Sequence, residues 1–537
     1  MKLSLHNRIG LVGLLFFCLF ARSAQANVYA TDIRLNGSLL PQVILPGGNL
    51  TISYILNETA TVGVWVRLYY GTNVVKTLAS ADGNAGTNAG LNSVSLNDLT
   101  NLAQGAYTVA ITAAATGYAT WTNITDDGTN FEIAFPRGIS VNQNTNSPYY
   151  GRVYVGNAYD DGGGNPGDQV GLFKCNADGS PADEGGFSTG GYGWAGDKYS
   201  PWKMAVGADD RLYVDDFALS RQGVVFSFDP ALDGGAPRQV ISAGNYPPEY
   251  PGLALSGLAF STFGTNTQIW MSDANPSGSA GIIGWQLTSD GAAATNDTGA
   301  SIVPADPFVL TQAPYDLAVA RNGFIYTIQF LTSYYPAYAL ISYPPYDGEP
   351  ESTADWVVGW YPSLLRASGV AVDPTGTFAA LAVVGGCDTE SPCGGLYMYS
   401  AAGVDFITDL DQTGDAYYDV AWDNVGNLYA LDGGSFDTPG VWRVYSPPGT
   451  NQATTVAAPI LQAYDAILAP SLLNPMAGHD GMNFTLAGQS NVAYIIQRSA
   501  DFTNWINVAT NYSSNASRSL CFPTCGVQNF YRAVTTP

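Results

Sequence analysis

The sequence predicts an all-β chain, and three observations carry that reading. One strand-turn-strand phrase returns six times between residues 138 and 430. The stretch before it alternates apolar and other residues at period two. Clusters of Gly, Asn, Asp and Pro break the chain between short apolar runs, as strand-connecting turns require.

The repeated phrase is an apolar-Ala-apolar triplet, a polar turn, then apolar-aromatic-apolar. Its clearest copy runs Val420-Ala421-Trp422, Asp423 to Asn427, Leu428-Tyr429-Ala430. The others begin at Gly138, Met204, Leu258, Leu317 and Val370, at intervals of 50 to 66 residues. A third strand follows each copy: 170–173, 223–228, 281–285, 338–343, 395–399 and 440–445. Outer strands are expected in several copies, as at Gln239–Ile241 and Asp405–Ile407. One such unit cannot bury both of its faces alone. Six stacked radially bury each other and hide most strand edges, which predicts a six-bladed β-propeller over 136–470.

The phrase resembles the repeat of NHL and gluconolactonase-like six-bladed propellers, with their apolar-Ala-Val and Gly-x-apolar-Tyr-Val-x-Asp pattern. That resemblance implies the fold more than the activity, since such propellers host enzymes and binding modules alike. The gluconolactonase-like enzymes place a metal in the channel.

Residues 27–135 read as an immunoglobulin-like β-sandwich. Strands are expected at 31–35, 49–56, 61–70, 91–96 and 106–113, with Val62, Val64, Val66 and Leu68 sharing one face. Leu102 to Val109 resembles the Gly-x-Tyr-x-Val strand of FlgD-type Ig-like modules, which act as spacers or assembly elements. Residues 471–481 read as a linker. Residues 482–537 read as a small β-module, with strands at Asn483–Leu486, Ala493–Gln497 and Asn529–Val534 and an aromatic turn at Ser499–Trp505. That segment resembles the C-terminal module of secreted proteins of Verrucomicrobia-type bacteria, through Tyr494-x-Ile496-x-x-Ser499, Asp501-Phe502-Thr503-x-Trp505 and Phe530-Tyr531-Arg532.

The first 26 residues read as an export signal: basic Lys2 and Arg8, an apolar core from Ile9 to Phe20, and Ala24-Gln25-Ala26 as the cleavage site. No later apolar run reaches membrane-spanning length. The mature chain is expected outside the cytoplasm, in the periplasm, at the cell surface or beyond. Its 17 basic and 44 acidic residues argue against nucleic acid and anionic membrane as partners. Cys387 with Cys393 and Cys521 with Cys525 read as short local disulfides. A zinc site would need further ligands, and the mature chain offers one histidine, His479. Cys175 reads as a buried small apolar group.

Three residues past the aromatic of each second strand stand Asn157, Asp216, Asp273, Gln329 and Asp432, with Leu381 in the fifth copy. These polar side chains would converge on a ligand near the channel, or each would cap its own turn. If they meet a cation, Asp216, Asp273 and Asp432 would hold Ca²⁺. The acidic Gly-rich loop Asp160–Asp168 offers oxygens for the same ion but lacks EF-hand spacing. Aromatics cluster in the loops entering the blades: Tyr192, Trp194, Tyr199, Trp202, Tyr246, Tyr250, Tyr315, Tyr417 and Tyr418. They suit blade packing or the apolar face of a sugar, with Trp194 and Trp202 as ligand-binding candidates. With His479 outside the repeat, a Ser-His-Asp or Cys-His machine has no imidazole there. No phosphate loop opens a helix. The expectation is a secreted or cell-surface binding, adhesion or structural protein, its partner a polysaccharide or another surface protein. The alternative is a Ca²⁺-dependent hydrolase or lyase acting on carbohydrates or lactones.

Overall fold

The computed structural model describes residues 27–535, apart from 45–47, 84, 98, 100–101, 126–130, 160–167, 184, 197–198, 218–222, 250–251, 264–265, 276–278, 290, 295, 307–308, 311, 331–337, 360–365, 386–393, 404, 412–415, 434–439, 464–469, 479–480, 489–491, 514–516 and 523–529. The expected export signal, His479, Cys387, Cys393, Cys525, Tyr250 and all of the acidic loop but Asp168 lie outside the described residues. The chain is all-β, with no α-helix among the described residues.

Each of the six repeat copies forms two antiparallel strands, and each pair is extended to a sheet. The first sheet orders Pro136–Val141, Val153–Asn157, Gly171–Cys175 and Phe187–Ser188 from inside out. The second has Met204–Val206, Leu212–Asp216, Val224–Phe228 and Arg238–Ile241. The third has Leu255–Phe263, Asn266–Asp273, Ile282–Gln286 and Ala300–Val303. The fourth has Pro314–Val319, Ile325–Gln329, Tyr338–Tyr343 and Trp356–Gly359. The fifth has Ala367–Val372, Phe378–Val383, Gly395–Ser400 and Phe406–Asp411. The sixth has Tyr417–Trp422, Leu428–Asp432 and Gly440–Ser446.

The innermost strands touch in sequence from first to sixth, and the sixth returns to the first, so the six sheets close a ring. The second strands of the first, second, fourth and sixth sheets are buried at every position. A strand covered on both faces needs an unbroken apolar and aromatic run, which the repeat supplies. Its tyrosines also latch neighbours together. Tyr154 donates to Pro230 O at 2.7 Å, Tyr213 to Gly291 O at 3.3 Å and Tyr326 to Ala401 O at 2.6 Å. Each acceptor lies in the turn between the third and outer strands of the next sheet.

Two segments cross the expected domain boundaries. The outer edge of the sixth sheet is supplied by Thr122–Asn123 and Glu132–Ile133, from before the first sheet. Residues beyond the sixth sheet, Gly449–Val456 and Leu461–Ala463, leave the ring and pair with the long strand Gly105–Tyr118. The boundaries expected at 135 and 470 are therefore corrected: the ring ends at Ser446, and 449–463 complete the first module. Strands this short carry no periodicity that would reveal their partner.

That first module has one sheet of Ala30–Leu35, Leu50–Leu56 and Gly90–Leu96, and a second built on Gly63–Tyr70, Asn73–Ala79 and Gly105–Tyr118. Leu50, Ile52, Val64, Val66, Leu68, Val109, Ile111 and Leu461 share one core. Val62 was expected on that face, but it precedes the strand and is 57% exposed.

The module docks where the ring closes. Asn27 Nδ2 donates to Ser446 Oγ and Pro447 O, and Asn427 Nδ2 donates to Asn27 O. Tyr29 packs with Tyr150, Val425 and Ala453. Its hydroxyl lies 3.4 Å from that of Tyr429, so at the sixth sheet Tyr29 stands where the next sheet's turn would be. Asp183 braces the same junction through Arg34 at 3.1 Å and Arg152 at 3.0 Å.

The last module is two three-stranded sheets over 471–535. Ser471–Gly478, expected as linker, is a strand paired with Gly481–Ala487.

Candidate functional site

The polar residues at the ends of the second strands do not converge. Asn157 accepts from Phe135 N at 2.7 Å and donates to Tyr159 O and Gln169 O. Asp216 accepts from Ser200 Oγ at 2.6 Å and Tyr192 OH at 2.7 Å. Asp273 accepts from the amides of Ala254, Asn275 and Ala280. Burial raises its pKa and those amides oppose the rise. Gln329 accepts from Gln312 N and donates to Val309 O and Tyr338 O. Asp432 holds Arg443 of its own sheet at 2.9 Å. Leu381 is buried apolar core. Each polar side chain fastens the loops or strands of its own sheet, as turn-capping predicts. Asp216, Asp273 and Asp432 therefore do not form one Ca²⁺ set.

What meets on the axis is the residue one place before each triplet. In ring order these are Gly138, Lys203, Gly257, Asp316, Gly369 and Asp419. Lys203 Nζ lies 2.7 Å from Asp419 Oδ1 and 3.3 Å from Asp316 Oδ2, and it donates to Tyr418 O at 2.9 Å. All three side chains are buried. The carboxylates also bind the ring together. Asp419 Oδ2 accepts from Ile139 N at 2.9 Å, and Asp316 Oδ2 from Val370 N at 3.1 Å. The glycines make room. A Cβ on Gly257 would overlap Asp316, one on Gly138 would overlap the Trp202 carbonyl, and one on Gly369 would lie 2.7 Å from Asp419 Cα. Burial pushes both carboxyl pKa values up, while the Lys203 ammonium pulls them down. That ammonium already sits between the two axial carboxylates, where a channel cation would have to bind, so these residues do not fit a resident metal.

One place further back stand Arg137, Trp202, Ser256, Tyr315, Ser368 and Tyr418. In five sheets this tier sits at a register shift in which the inner strand carries one extra residue, and such bulges re-aim side chains. Arg137 lies 3.9 Å over the Tyr418 ring and 5.8 Å from the Trp202 ring. Trp202 Nε1 donates to Ser256 Oγ at 3.0 Å, and Ser256 Oγ to Tyr315 O at 2.6 Å. Trp202 is thus a buried ring of the axial plug. Trp194 lies away from the axis, stacked on Phe228 at 5.6 Å and donating to Thr189 O. The alternation of both tiers is visible in the sequence, but only once the repeats are aligned on the triplet and closed into a ring.

On the other side of the plug the axis opens into a cavity of about 530 Å³. All six innermost strands line it, each starting at the residue after its plug position: Ile139, Met204, Leu258, Leu317, Val370 and Val420. Each of these strands has a hydrogen-bonded neighbour on one side only, so its second edge faces this space. Phe260 and Trp422 add rings, and Asn142, Gln143 and Asn144 add amides at the rim. Among the described residues no Asp, Glu, Lys, Arg or His lines the cavity. Its chemistry is that of an uncharged pocket with backbone donors and acceptors.

One buried carboxylate stands outside this scheme. Asp215, beside Trp202 and Lys203 in the second sheet, is fully buried, and neither oxygen meets a hydrogen-bond donor. Burial pushes its pKa far up, and the neighbouring Asp216 charge adds to the rise. Cys175 is buried as expected, its thiol pushed up to about 12 by desolvation. Cys521 is an exposed, free thiol in this structure, and its expected partner Cys525 lies outside the described residues. Among the described residues no group of three or more Asp, Glu, His or Cys is placed to hold a metal. No described helix is long and apolar enough to cross a membrane.

No protein-family model matches the chain, and no curated protein matches it. Among solved structures, one named "Glycoside hydrolase" aligns over 95% of this chain and 94% of that chain, at 9% sequence identity and a TM-score of 0.24. A score that low supports no statement about fold or activity.

Proposed function

We propose that the chain is an exported six-bladed β-propeller of the NHL and gluconolactonase-like kind. In this reading an Ig-like sandwich is fastened to the seam of the ring, and the axial cavity binds a neutral saccharide without turning it over. The carrying observation is the cavity itself: six inner strands wall it, rings, amides and the Ser140 hydroxyl line it, and among the described residues no carboxylate, imidazole, amine or thiol does. Its volume lies within the range of small-ligand sites, roughly 300–1,000 Å³. Carbohydrate hydrolysis would need a pair of carboxyl groups flanking the bond. The axial pair Asp316 and Asp419 is engaged by Lys203 beneath the floor. The sandwich is an integral clamp of the ring in this account, more than a spacer.

The test is calorimetric titration of the purified chain with neutral oligosaccharides of two to six units, with product analysis after prolonged incubation. Binding with unchanged sugar supports the reading. Cleavage that is lost in Asp216→Ala or Asp273→Ala would overturn it in favour of the hydrolase.

A further inference from the structure

The outer face of the last module holds an ordered set of planar groups, independent of the axial cavity. Val492–Ser499, Ile506–Ser513 and Phe530–Thr535 form one sheet, with Gln497 in register with Asn507 on one side and Arg532 on the other. Gln497 Nε2 donates to Asn507 Oδ1 at 2.9 Å, and Arg532 Nε donates to Gln497 Oε1 at 2.8 Å. Two amides and a guanidinium therefore stand in a fixed row across the strands.

An aromatic turn borders the row. The Arg532 guanidinium lies 4.1 Å over the Trp505 ring. Trp505 Nε1 is fixed on Phe502 O at 2.9 Å, and Asp501 Oδ1 organises the turn by accepting from Thr503 N and Asn504 N. Phe502 is 62% exposed, with its ring centroid 3.5 Å from that of Phe530, and Ile506 is 54% exposed. Beyond Nε, no guanidinium nitrogen of Arg532 meets a protein acceptor among the described residues.

The charge of this module differs from the rest of the chain. Residues 471–537 hold three arginines and two acidic residues, whereas 1–470 hold 17 basic and 42 acidic residues. At physiological salt the field of the acidic portion is screened beyond about 8 Å, which leaves Arg532 as a local anion site. We infer that this face docks a carboxylated polysaccharide, with Arg532 pairing a uronate carboxylate and Phe502 covering the apolar face of a sugar ring. Gln497, itself fixed on Asn507, holds the guanidinium through Nε and leaves its two terminal nitrogens to a planar carboxylate.

The experiment is affinity electrophoresis of the full chain through gels containing polygalacturonate, with dextran as the uncharged control, at 0.15 M salt. The variants are Arg532→Gln, Trp505→Ala, Ala208→Trp at the axial rim and Lys76→Gln on an exposed strand of the first module. The expected result is retardation by polygalacturonate that Arg532→Gln and Trp505→Ala weaken about tenfold, with any retardation by dextran through the axial cavity left unchanged by those two variants. Lys76→Gln and Ala208→Trp should leave the polygalacturonate retardation unchanged, which separates this face from the axial cavity. Equal losses for Lys76→Gln and Arg532→Gln would overturn the inference, as would retardation by dextran that Arg532→Gln weakens equally. So would the absence of any retardation by polygalacturonate.

Discussion

Lys203, on the second sheet, places its ammonium 2.7 Å from the carboxylate of Asp419, on the sixth. The contact spans the axis and ties together strands 216 residues apart in sequence. It also reaches Asp316 of the fourth sheet, so one cation holds three of the six sheets in register. Removing one partner of a buried ion pair leaves an uncompensated charge, at about 3–5 kcal/mol. Lys203→Met should destabilise the chain by that amount, measured by urea unfolding, and adding Asp316→Asn and Asp419→Asn should restore much of the loss. The pH dependence has a defined sign. Without Lys203 the buried carboxyls bind protons more tightly folded than unfolded, so the variant should lose stability as pH rises above about 4.

The glycines beside this trio are fitted to it. Gly369 faces Asp419 so closely that a methyl group would force the inner strands of the fifth and sixth sheets apart. Gly369→Ala should cost about 1–3 kcal/mol by overpacking, read as a lower urea midpoint. Gly403→Ala, where no atom lies within 4 Å of the added Cβ, should be nearly silent in the same assay.

Asp215 makes the opposite prediction. Its carboxyl is buried without a donor, and its folded pKa lies well above the unfolded value. The folded state therefore holds this proton more tightly, and the stability it lends at low pH is lost as pH rises from about 4 toward the folded value. Asp215→Asn should stabilise the chain at pH 8 by about 1–3 kcal/mol and change it little at pH 4. Urea midpoints at the two pH values read this directly. Equal destabilisation at both would contradict the assignment.

The first module and the ring should unfold as one. Asn427 donates to Asn27 O and to Asp423 Oδ2 at the seam, and Asp423 is pushed up to about 6 by burial despite those bonds. Asn427→Ala removes a donor from two buried acceptors, at about 1–3 kcal/mol. Calorimetry should show a single shared transition for both modules, shifted down in the variant. Separate transitions, with only the ring's affected, would contradict the shared strands at 122–133 and 449–463.

Much of this architecture was legible in the sequence. The triplet-turn-aromatic phrase located twelve strands, because burial on both faces demands an unbroken apolar run. The closure of the ring was not legible. Thr122–Asn123 and Glu132–Ile133 are two residues each, and nothing in so short a run names the sheet it joins. The residues that meet on the axis lie a few places from those the pattern singles out. Asp216, Asp273 and Asp432 are prominent in the sequence because they end strongly patterned strands, and their oxygens are spent there. Lys203, Asp316 and Asp419 sit one residue before the pattern begins, and their meaning appears only across the ring.

Binding of a neutral saccharide in the uncharged axial cavity is open to direct test. The most direct measurement is the dissociation constant of one neutral oligosaccharide for the natural chain, Ala208→Trp and Asp216→Asn. Ala208 is exposed at the cavity rim, so a tryptophan there narrows the mouth without entering the core. The account predicts binding weakened about tenfold or more by Ala208→Trp and unchanged by Asp216→Asn. Binding that survives Ala208→Trp and vanishes in Asp216→Asn would contradict it and return the site to the loops after the second strands.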